Sequence, residues 1–530
     1  MNRLKKIQVT GVKVPYRETG RDHDAEAIHR AASFIAKKTS SNPQNLKISK
    51  KSIDARRGEI SFVYTVYAEV DCRADKLKDP SIRLFTEEKP ETNPGSMKLN
   101  NRPVIVGFGP AGMFAGLLLA ENGYKPLILE RGGDVDSRIA AVQKFMDEGV
   151  LDPDSNIQFG AGGAGTFSDG KLTTRINDPF VSYVIEKLYE LGAPEDVLYK
   201  AKPHIGTDVL RDVVRNTDKR IRELGGEIRY NTKVEKIVDG KIKADGYETE
   251  YDTVILALGH SARDTYSELI GSGFVIEPKP FSVGVRAEHL QDDIDKALFG
   301  VHAGDPTLGR GEYQLSYRKG ERGCYTFCMC PGGTVVPSAS EEGGVVTNGM
   351  STRARDGRNA NAAVCVSVLP EDYGNTPLGG IEFQRRLERA AYEAGGRDYY
   401  APMQTVGDFL SDKKGTAYSR IVPTYRDGKV READFGKIFP GDITGMLKEG
   451  LSDFGKKIKG YDAPDVPLTG VETRTSSPLR IMRDGEYTAI GKKGIYPCGE
   501  GAGYAGGIVS AAVDGLRVAG AIISKYAPLD

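Results

Sequence analysis

The sequence is poor in the features that mark secreted and membrane proteins. It has six cysteines among 530 residues, which is too few for a disulfide scaffold and fits a reducing compartment. No run approaches the roughly 18 apolar residues of a membrane span, and no apolar stretch follows the basic residues near the start. We therefore expect a cytoplasmic protein without a membrane span.

Net charge is also absent, because 73 Lys and Arg residues balance 73 Asp and Glu residues. The balance is uneven: residues 1–100 carry 20 basic and 13 acidic residues, and the remainder carries 53 and 60. A basic amino-terminal unit is compatible with nucleic acid or another acidic partner, although such an excess is more often a solvated surface. The length and the 39% hydrophobic content predict a globular protein of roughly two to four domains.

The first hundred residues predict a small α+β unit. The stretch from His23 to Lys38 spaces its apolar residues at helical intervals, and the stretch from Glu59 to Val70 is rich in β-branched and aromatic residues, as strands are. Proline, glycine, asparagine and charged residues then accumulate between Phe85 and Pro103, which is typical of a linker. We place the domain boundary at residue 98.

Three stretches match the dinucleotide pattern G-x-G-x-x-G, and the first of them, GFGPAG, has the full context of a binding site. The strand VIV precedes it, an apolar helix closed by Gly123 follows, and PLILE forms a second strand, which completes a βαβ unit. Gly107 permits the tight turn, Gly109 lets the backbone approach a pyrophosphate, and Gly112 allows the helix to pack closely on the strand. Pro110 and Ala111 complete this predicted cofactor-binding turn.

An acidic residue follows the second strand of this unit. Glu130 comes 18 residues after Gly112, where a carboxylate can accept hydrogen bonds from a ribose, and Arg131 follows it. The same carboxylate disfavours a 2′-phosphate, so an NADP-type ligand is not expected at this turn. Glu130 and Arg131 are therefore predicted to bind a nucleotide cofactor.

The other two matches lack parts of that context. GAGGAG, which begins at Gly160, has no apolar strand before it and no apolar-periodic helix after it. GAGYAG, which begins at Gly501, lies between a strand and a helix, but it is followed by no second strand and by no acidic residue placed to bind a ribose. Neither stretch is expected to begin a second βαβ unit.

The last stretch resembles the carboxy-terminal flavin motif of two-dinucleotide-binding flavoproteins. In that group a strand, a turn and a glycine-rich helix start contact the FAD whose ADP half lies on the first βαβ unit. Here the strand is IYPC, the turn is Gly499-Glu500, and the helix begins near Gly506, Gly507 and Ile508. Glu500 stands where the group usually has aspartate. The resemblance implies that these five residues bind FAD.

Two further stretches are similar to pieces of the same group in the same order. GGEIRYNTKVEKIV resembles the strand whose backbone, near Val234, meets the adenine, and YDTVILALGHSARD resembles the strand that closes on the cofactor at Gly259. A narrower resemblance, to the family of bacterial uncharacterised FAD-dependent dehydrogenases with a FAD-dependent protein C-terminal domain, rests on five other stretches: FGAGGAGTFSDGKL, KPHIGTD, CMCPGG, VVTNGMS and YPCGEGAGYAGG. The resemblance implies FAD as the cofactor and an oxidoreductase activity.

The resemblance also implies a fold. We expect an α/β protein with a Rossmann-like FAD/NAD(P)-binding domain of the two-dinucleotide-binding type, an inserted α+β substrate domain and the small amino-terminal α+β domain. The FAD domain would comprise residues 99–280 and 475–530, and the inserted domain residues 281–474. Arg286 and the stretch TNGMSTRARDGRNANA offer positive charges there for an anionic substrate.

The glycine-rich loop FGAGGAGTFSDGKLTT also contains polar groups that can reach a flavin. Backbone N–H groups of Gly165 and Gly170 can face a ligand, and Ser168 and Asp169 supply hydrogen-bonding side chains. A lysine such as Lys171 near the flavin would favour the reduced anion. The second interpretation is a surface turn, for which SDG is a common sequence.

Two histidines and three cysteines are further candidates. His204 in KPHIGTD is the leading proton donor and His260 the second, because imidazole titrates near neutral pH. Cys324, Cys328 and Cys330 allow a thiol relay or a zinc site, but no helix or fourth ligand is suitably spaced, so buried thiols are the favoured interpretation and no metal is expected.

The sequence thus predicts an FAD-dependent oxidoreductase that exchanges hydride between the flavin and an unknown small-molecule substrate, with Lys171 and His204 as catalytic residues. NAD(P)H or another electron carrier stays open as a transient co-substrate. The alternative is a flavin-binding redox sensor whose basic amino-terminal domain engages nucleic acid or a protein partner.

Overall fold

The computed structural model describes residues 4–16, 22–55, 59–72, 77–85, 89–90, 93–238, 240–413 and 420–529. Residues 86–88 and 91–92 of the predicted linker lie outside this part. Within the described residues, no helix combines the length and the apolar composition needed to cross a membrane.

The amino-terminal residues form a four-stranded antiparallel sheet covered by one helix. Its elements are β1 (Lys5–Pro15), α1 (His23–Thr39), β2 (Gln44–Asp54), β3 (Ser61–Val70) and β4 (Ile82–Leu84), in the sheet order β2-β3-β1-β4. The Asp22 carboxylate caps α1 by accepting from the backbone N–H groups of Asp24 and Ala25. Ala27, Ala31 and Ile35 are buried, which confirms the predicted helix and its apolar face.

A parallel five-stranded sheet carries the first glycine turn. Its strands are β5 (Val104–Val106), β6 (Leu127–Leu129), β7 (Glu227–Arg229), β11 (Val254–Leu256) and β23 (Ile495–Pro497), in the order β23-β11-β5-β6-β7. The helices of this region are α2 (Pro110–Glu121), α3 (Val135–Glu148), α4 (Phe180–Glu190), α5 (Thr207–Glu223), α6 (Arg263–Gly271) and α11 (Ile508–Lys525). Among them α2 packs on β5, α5 packs on β7, and α11 packs against α2. The predicted βαβ unit is confirmed, since β5 and β6 are parallel neighbours joined through α2.

The stretch predicted as one strand from Gly225 to Val238 is instead two. β7 belongs to the parallel sheet, whereas β8 (Val234–Val238) pairs in a separate antiparallel sheet with β9 (Lys241–Ala244), which in turn pairs with β10 (Tyr247–Glu250). Asn231, at φ 52°, turns the chain between them, and its N–H donates to the Gly132 carbonyl.

The largest sheet has seven strands, in the order β14-β15-β18-β13-β21-β19-β20. They are β13 (Phe281–Leu290), β14 (Ser316–Lys319), β15 (Arg322–Cys330), β18 (Asn359–Val368), β19 (Ala401–Thr405), β20 (Val430–Glu432) and β21 (Pro467–Glu472). Two short ribbons accompany it: β12 (Ile276–Pro278) with β22 (Leu479–Ile481), and β16 (Thr334–Pro337) with β17 (Thr347–Met350). The helices of this region are α7 (Gln291–Phe299), α8 (Gly379–Ala394), α9 (Val406–Leu410) and α10 (Gly441–Lys457).

Short 3₁₀ turns lie at Ala164–Phe167, Glu195–Leu198, Gly300–His302, Pro370–Tyr373, Tyr425–Gly428 and Phe435–Lys437. The fold class is therefore mixed α/β, as predicted. The domain boundaries at residues 98, 280 and 474 stay predictions.

Candidate cofactor site

The carboxylate that is predicted to bind the ribose lies at the first glycine turn and also hydrogen-bonds to a second glycine stretch. Glu130 is 6% exposed, and its Oε2 accepts from the Phe108 N–H at 2.8 Å. Its Oε1 accepts from the N–H groups of Gly132 at 3.0 Å and Gly160 at 2.9 Å. One carboxylate thus connects two of the three glycine patterns.

The loop that begins at Gly160 packs directly on the dinucleotide turn. The Gly162 N–H donates to the Phe108 carbonyl at 2.8 Å. A Cβ atom at Gly163 would lie 2.9 Å from the Gly109 Cα, and one at Gly165 would lie 3.1 Å from the Ile508 side chain. Because α2 begins after Gly109 and α11 begins at Ile508, the loop lies beside the amino termini of both helices.

The third glycine stretch reaches the same place from β23. A Cβ atom at Gly499 would lie 2.7 Å from the Ala111 Cβ, and one at Gly501 would lie 2.6 Å from the carbonyl carbon of Gly259. The Tyr266 hydroxyl is 2.8 Å from both the Gly259 and the Gly501 carbonyl oxygens. The three patterns therefore meet at one locus at the carboxyl edge of the parallel sheet.

Two helix amino termini face this locus without side-chain caps. The residues before α2 and α11 are Gly109 and Gly507, neither of which supplies a cap. Gly506 and Gly507 are exposed, and no described atom lies within 4 Å of a Cβ atom built on either. Uncapped N–H groups at a helix start favour phosphates and electron-rich ligand atoms. With the Glu130 carboxylate nearby, the locus fits a dinucleotide such as FAD.

Arg131 and Val234 flank the nucleotide side. The Arg131 guanidinium lies 4.3 Å from the centre of the Phe159 ring and donates to the Asp264 carboxylate at 2.8 Å. Val234 begins β8 and is buried. Both side chains are thus already engaged by protein groups, and their contacts with a cofactor stay predictions.

Ser168 organises the predicted flavin loop from within. Its hydroxyl donates to the Gly165 carbonyl at 2.7 Å and accepts from the Gly170 N–H at 3.0 Å. Such side-chain-to-backbone bonds fix a turn, as the turn interpretation of SDG predicts.

Asp169 and Lys171 belong to a buried group of ion pairs that the sequence did not indicate. The Asp169 carboxylate accepts from Arg355 at 2.9 and 2.5 Å and also from the Ser351 hydroxyl. Lys171 Nζ is 3.4 Å from both the Asp169 and the Glu312 carboxylates. Burial lowers the pKa of Lys171, but these carboxylates outweigh it and the net shift is upward. The loop is thereby joined to the region of the largest sheet, with Lys171 held as a cation.

His204 lies next to Lys171 across an isolated antiparallel bridge. It is 7% exposed, and its Nε2 is 3.3 Å from the Arg353 carbonyl oxygen. Burial, followed by the Arg355 guanidinium, lowers the pKa of His204 to about 4. The imidazole is therefore neutral at neutral pH, which does not suit it to act as an imidazolium acid.

This lowered pKa predicts a loss of stability in mild acid. The unfolded chain binds the proton near pH 6.5, whereas the folded chain resists it until about pH 4, so stability falls as the pH falls between these values. We expect His204 to account for about 2 kcal/mol of the loss between pH 7 and pH 5. Thermal unfolding of the wild type and His204→Gln at both pH values would measure it. An identical pH dependence in the two proteins would contradict the assignment.

The cysteines agree in part with the buried-thiol prediction. Cys324 and Cys330 are buried, but Cys328 is exposed and lies at φ 42° in an irregularity of β15. Burial raises the pKa of Cys330 to about 11. Among the described residues, no group of three or more His, Cys, Asp or Glu side chains is placed to hold a metal ion.

Arg286 is not placed as its predicted role requires. Its side chain is fully buried and pairs with the Glu472 carboxylate at 3.0 and 3.2 Å. The guanidinium also donates to Asn361 at 2.7 Å. Since its charge is neutralised inside the protein, it is not available to an anionic substrate.

Sequence reasoning missed the residues that hold the glycine loop in place. Arg138 is fully buried and donates to the carbonyl oxygens of Asn156 at 2.8 Å, Ile157 at 2.9 Å and Ala161 at 2.6 Å. No local pattern marks an arginine that caps a distant loop. Arg355 lies in the stretch selected for positive charge, but its carboxylate partners are far away in sequence.

Comparison with protein families identifies the class. Residues 280–475 match the family described as "FAD-dependent protein, C-terminal domain-like", and residues 6–69 match a "Domain of unknown function (DUF8436)". The chain belongs to this family of FAD-dependent proteins, and FAD is its cofactor. An uncharacterised protein of Clostridium beijerinckii is 46% identical over 524 residues, which cover 95% of this chain and 97% of that protein.

Similar solved structures include two flavoproteins. Glycine oxidase from Geobacillus kaustophilus is 12% identical, with 82% of this chain and 97% of that chain covered and a TM-score of 0.32. A triple mutant of the flavin-dependent brominase Bmp2 is 14% identical, with 80% and 79% covered and a TM-score of 0.33. Similarity at this level carries no argument about the reaction of this protein.

Proposed function

We propose that this protein is an FAD-dependent oxidoreductase that exchanges hydride with a small-molecule substrate. The observation that carries the proposal is the meeting of three glycine stretches and two uncapped helix starts beside the Glu130 carboxylate. FAD, when bound, supplies the redox chemistry, and the protein supplies position, charge and exclusion of water. The family membership supports the cofactor, and the reaction is the part proposed.

In this proposal the cofactor lies along the carboxyl edge of the parallel sheet. The Gly107–Gly112 turn and Glu130 hold the ADP half, and the start of α11 holds the flavin half, as in two-dinucleotide-binding flavoproteins. A helix amino terminus stabilises negative charge that develops on reduction. Residues 99–280 and 475–530 form the FAD domain, and residues 281–474 form the substrate domain.

The substrate lies where the loop Gly165–Lys171 meets the region of the largest sheet. Lys171 lies there as a cation, because Glu312 and Asp169 raise its pKa against the effect of burial, and the same carboxylates balance its charge. The neutral His204 beside it can hydrogen-bond to a substrate through a ring nitrogen. We propose that these two residues contact the substrate in this site.

The proposal is tested by anaerobic titration of the purified holoprotein with NADH, NADPH and a panel of small metabolites. We expect at least one compound to bleach the oxidised-flavin absorbance, and a second to restore it, because an oxidoreductase needs both half-reactions. Replacing Lys171 by methionine removes the charge and should slow bleaching about 10-fold or more. Bound flavin that no member of the panel reduces or reoxidises would contradict the proposal.

The redox-sensor alternative gains no specific support. Several basic residues of the amino-terminal unit pair with carboxylates of the same unit: Arg30 with Glu26, Lys38 with Asp79, and Lys51 with Asp24. Such internal pairing reduces the charge available to an acidic partner.

A further inference from the structure

The edge strand of the amino-terminal sheet pairs with a segment that comes shortly before His204. Lys51 in β2 forms an isolated parallel bridge with Lys200. The Lys51 N–H donates to the Tyr199 carbonyl at 2.6 Å, and the Ala201 N–H donates to the Lys51 carbonyl at 2.8 Å. An edge strand leaves such backbone groups unpaired, and here a remote part of the chain satisfies both of them.

A second contact joins the same unit to a segment that comes shortly before Glu312. The Tyr16 hydroxyl donates to the Asp305 carboxylate. Leu308, which lies between α7 and β14, is 4% exposed and packs with the buried side chains of α1 and the amino-terminal sheet, including Phe62. A side chain from another part of the chain is therefore built into the apolar core of the amino-terminal unit.

The first of these segments leads to the backbone bridge between His204 and Lys171. His204 comes three residues after Ala201. Two backbone hydrogen bonds close the bridge, with the Leu172 N–H donating at 2.9 Å and the Ile205 N–H at 3.0 Å. The exchange rates of these two amides therefore report how firmly the bridge is held.

The second segment leads to a carboxylate that pairs with Lys171. Glu312 comes four residues after Leu308, and its carboxylate is 3.4 Å from Lys171 Nζ. The same carboxylate also accepts from Arg355. Because the two segments reach Lys171 from separate parts of the chain and both contact the amino-terminal unit, that unit connects them.

We propose that the amino-terminal unit is a positioning element of the substrate site, with Lys51 and Leu308 as the contacts through which it holds both segments against Lys171. For its effect on the reaction, the proposal rests on the proposed function; its effect on the structure of the site does not. Small displacements matter there, because a shift of about 1 Å at a reacting group can slow a reaction about 100-fold.

Hydrogen–deuterium exchange of the full-length holoprotein tests the proposal without turnover. Leu308→Ala leaves a cavity at the contact, so the unit should undock more readily and the Leu172 and Ile205 amides should exchange about 10-fold faster or more. Leu84→Ala makes the same change at a position of the same unit that is 64% exposed, and it should leave both rates unchanged. Unchanged rates in Leu308→Ala, or an increase no larger than that at the amides of β5, would overturn the proposal.

A milder variant leaves the apolar core intact. Tyr16→Phe removes only the hydroxyl that bonds to Asp305, so it should fold as the wild type does and speed exchange at the same two amides by a smaller factor. Wild-type exchange in Tyr16→Phe together with a uniform increase along the chain in Leu308→Ala would show that the contact contributes to global stability alone, and would overturn the positioning role.

The rate of flavin bleaching separates positioning from stability. With a reductant found by the anaerobic titration and present at saturation, Leu308→Ala should bleach about 10-fold more slowly than the wild type. Its FAD content should stay at the wild-type value, because none of the contact residues belongs to the three glycine stretches. A wild-type bleaching rate together with faster exchange would overturn the positioning role. A wild-type protein that no reductant bleaches would instead contradict the proposed function and leave the exchange results intact.

Discussion

Replacing Glu388 by leucine should lower the free energy of unfolding by about 3–5 kcal/mol, because it removes the carboxylate that two buried guanidinium groups share. Glu388 is 2% exposed and accepts from Arg263 at 2.8 and 2.8 Å and from Arg474 at 2.9 and 3.1 Å. Burial raises the pKa of the Glu388 carboxyl, but the two arginines outweigh it and hold that pKa well below its usual range. Chemical or thermal unfolding of the two proteins would measure the loss.

The pH dependence of this effect has a defined sign. A carboxylate whose pKa is lowered by folding stabilises the protein above the unfolded value of 4.5 and loses that contribution as the pH falls. The difference between the wild type and Glu388→Leu should therefore shrink in acid. A control is Glu449→Leu, which removes the exposed pair with Lys319 at 2.6 Å and should cost much less, because exposed ion pairs contribute little to stability. Equal losses in the two variants would contradict the buried-charge argument.

The network also matters for the site. Arg263 begins α6, four residues after Gly259, and Glu388 lies on α8 beside the largest sheet. The Arg474 guanidinium further donates to the Ser261 hydroxyl at 2.8 Å. The turn that carries His260 is thus held by charges from a distant part of the chain.

Replacing Gly109 by alanine should weaken FAD binding about 100-fold while the fold is retained. Gly109 lies at φ −82°, which any residue adopts, and a Cβ atom there would be 3.7 Å from the Gly163 Cα, an ordinary contact. The protein therefore tolerates the methyl group. The loss arises because the added atom stands where the backbone must approach the pyrophosphate. The amount of FAD that the variant retains and the change in Tm of its flavin-free form, each compared with the wild type, would be measured.

Two other glycines make this prediction specific. Gly445 lies within α10 with no described atom within 4 Å of an added Cβ, so Gly445→Ala should leave the affinity for FAD unchanged. At Gly112 an added Cβ would come within 2.0 Å of the Gly107 carbonyl oxygen, so Gly112→Ala should damage the turn itself. If Gly109→Ala retained as much flavin as the wild type, the first glycine turn would not be part of the proposed cofactor site.

Local patterns in the sequence predicted the elements at the cofactor edge. The strand, glycine turn and helix at Val104–Glu121 are where the βαβ pattern places them, and α11 begins at Ile508, next to the predicted Gly506-Gly507 start. The single strand predicted across Asn231 was wrong, because a left-handed residue within an otherwise strand-like stretch leaves no periodic trace.

The sequence by itself determined the α/β class, the βαβ turn and the likeness to FAD-dependent proteins, because each depends on residues near one another in the chain. Only the tertiary structure decided how the three glycine stretches share one locus and which charges neutralise Lys171, Arg286 and Arg263. The physical reason is that burial and partner choice depend on contacts between residues remote in sequence. Neither the composition nor the spacing of residues along the chain predicts those contacts.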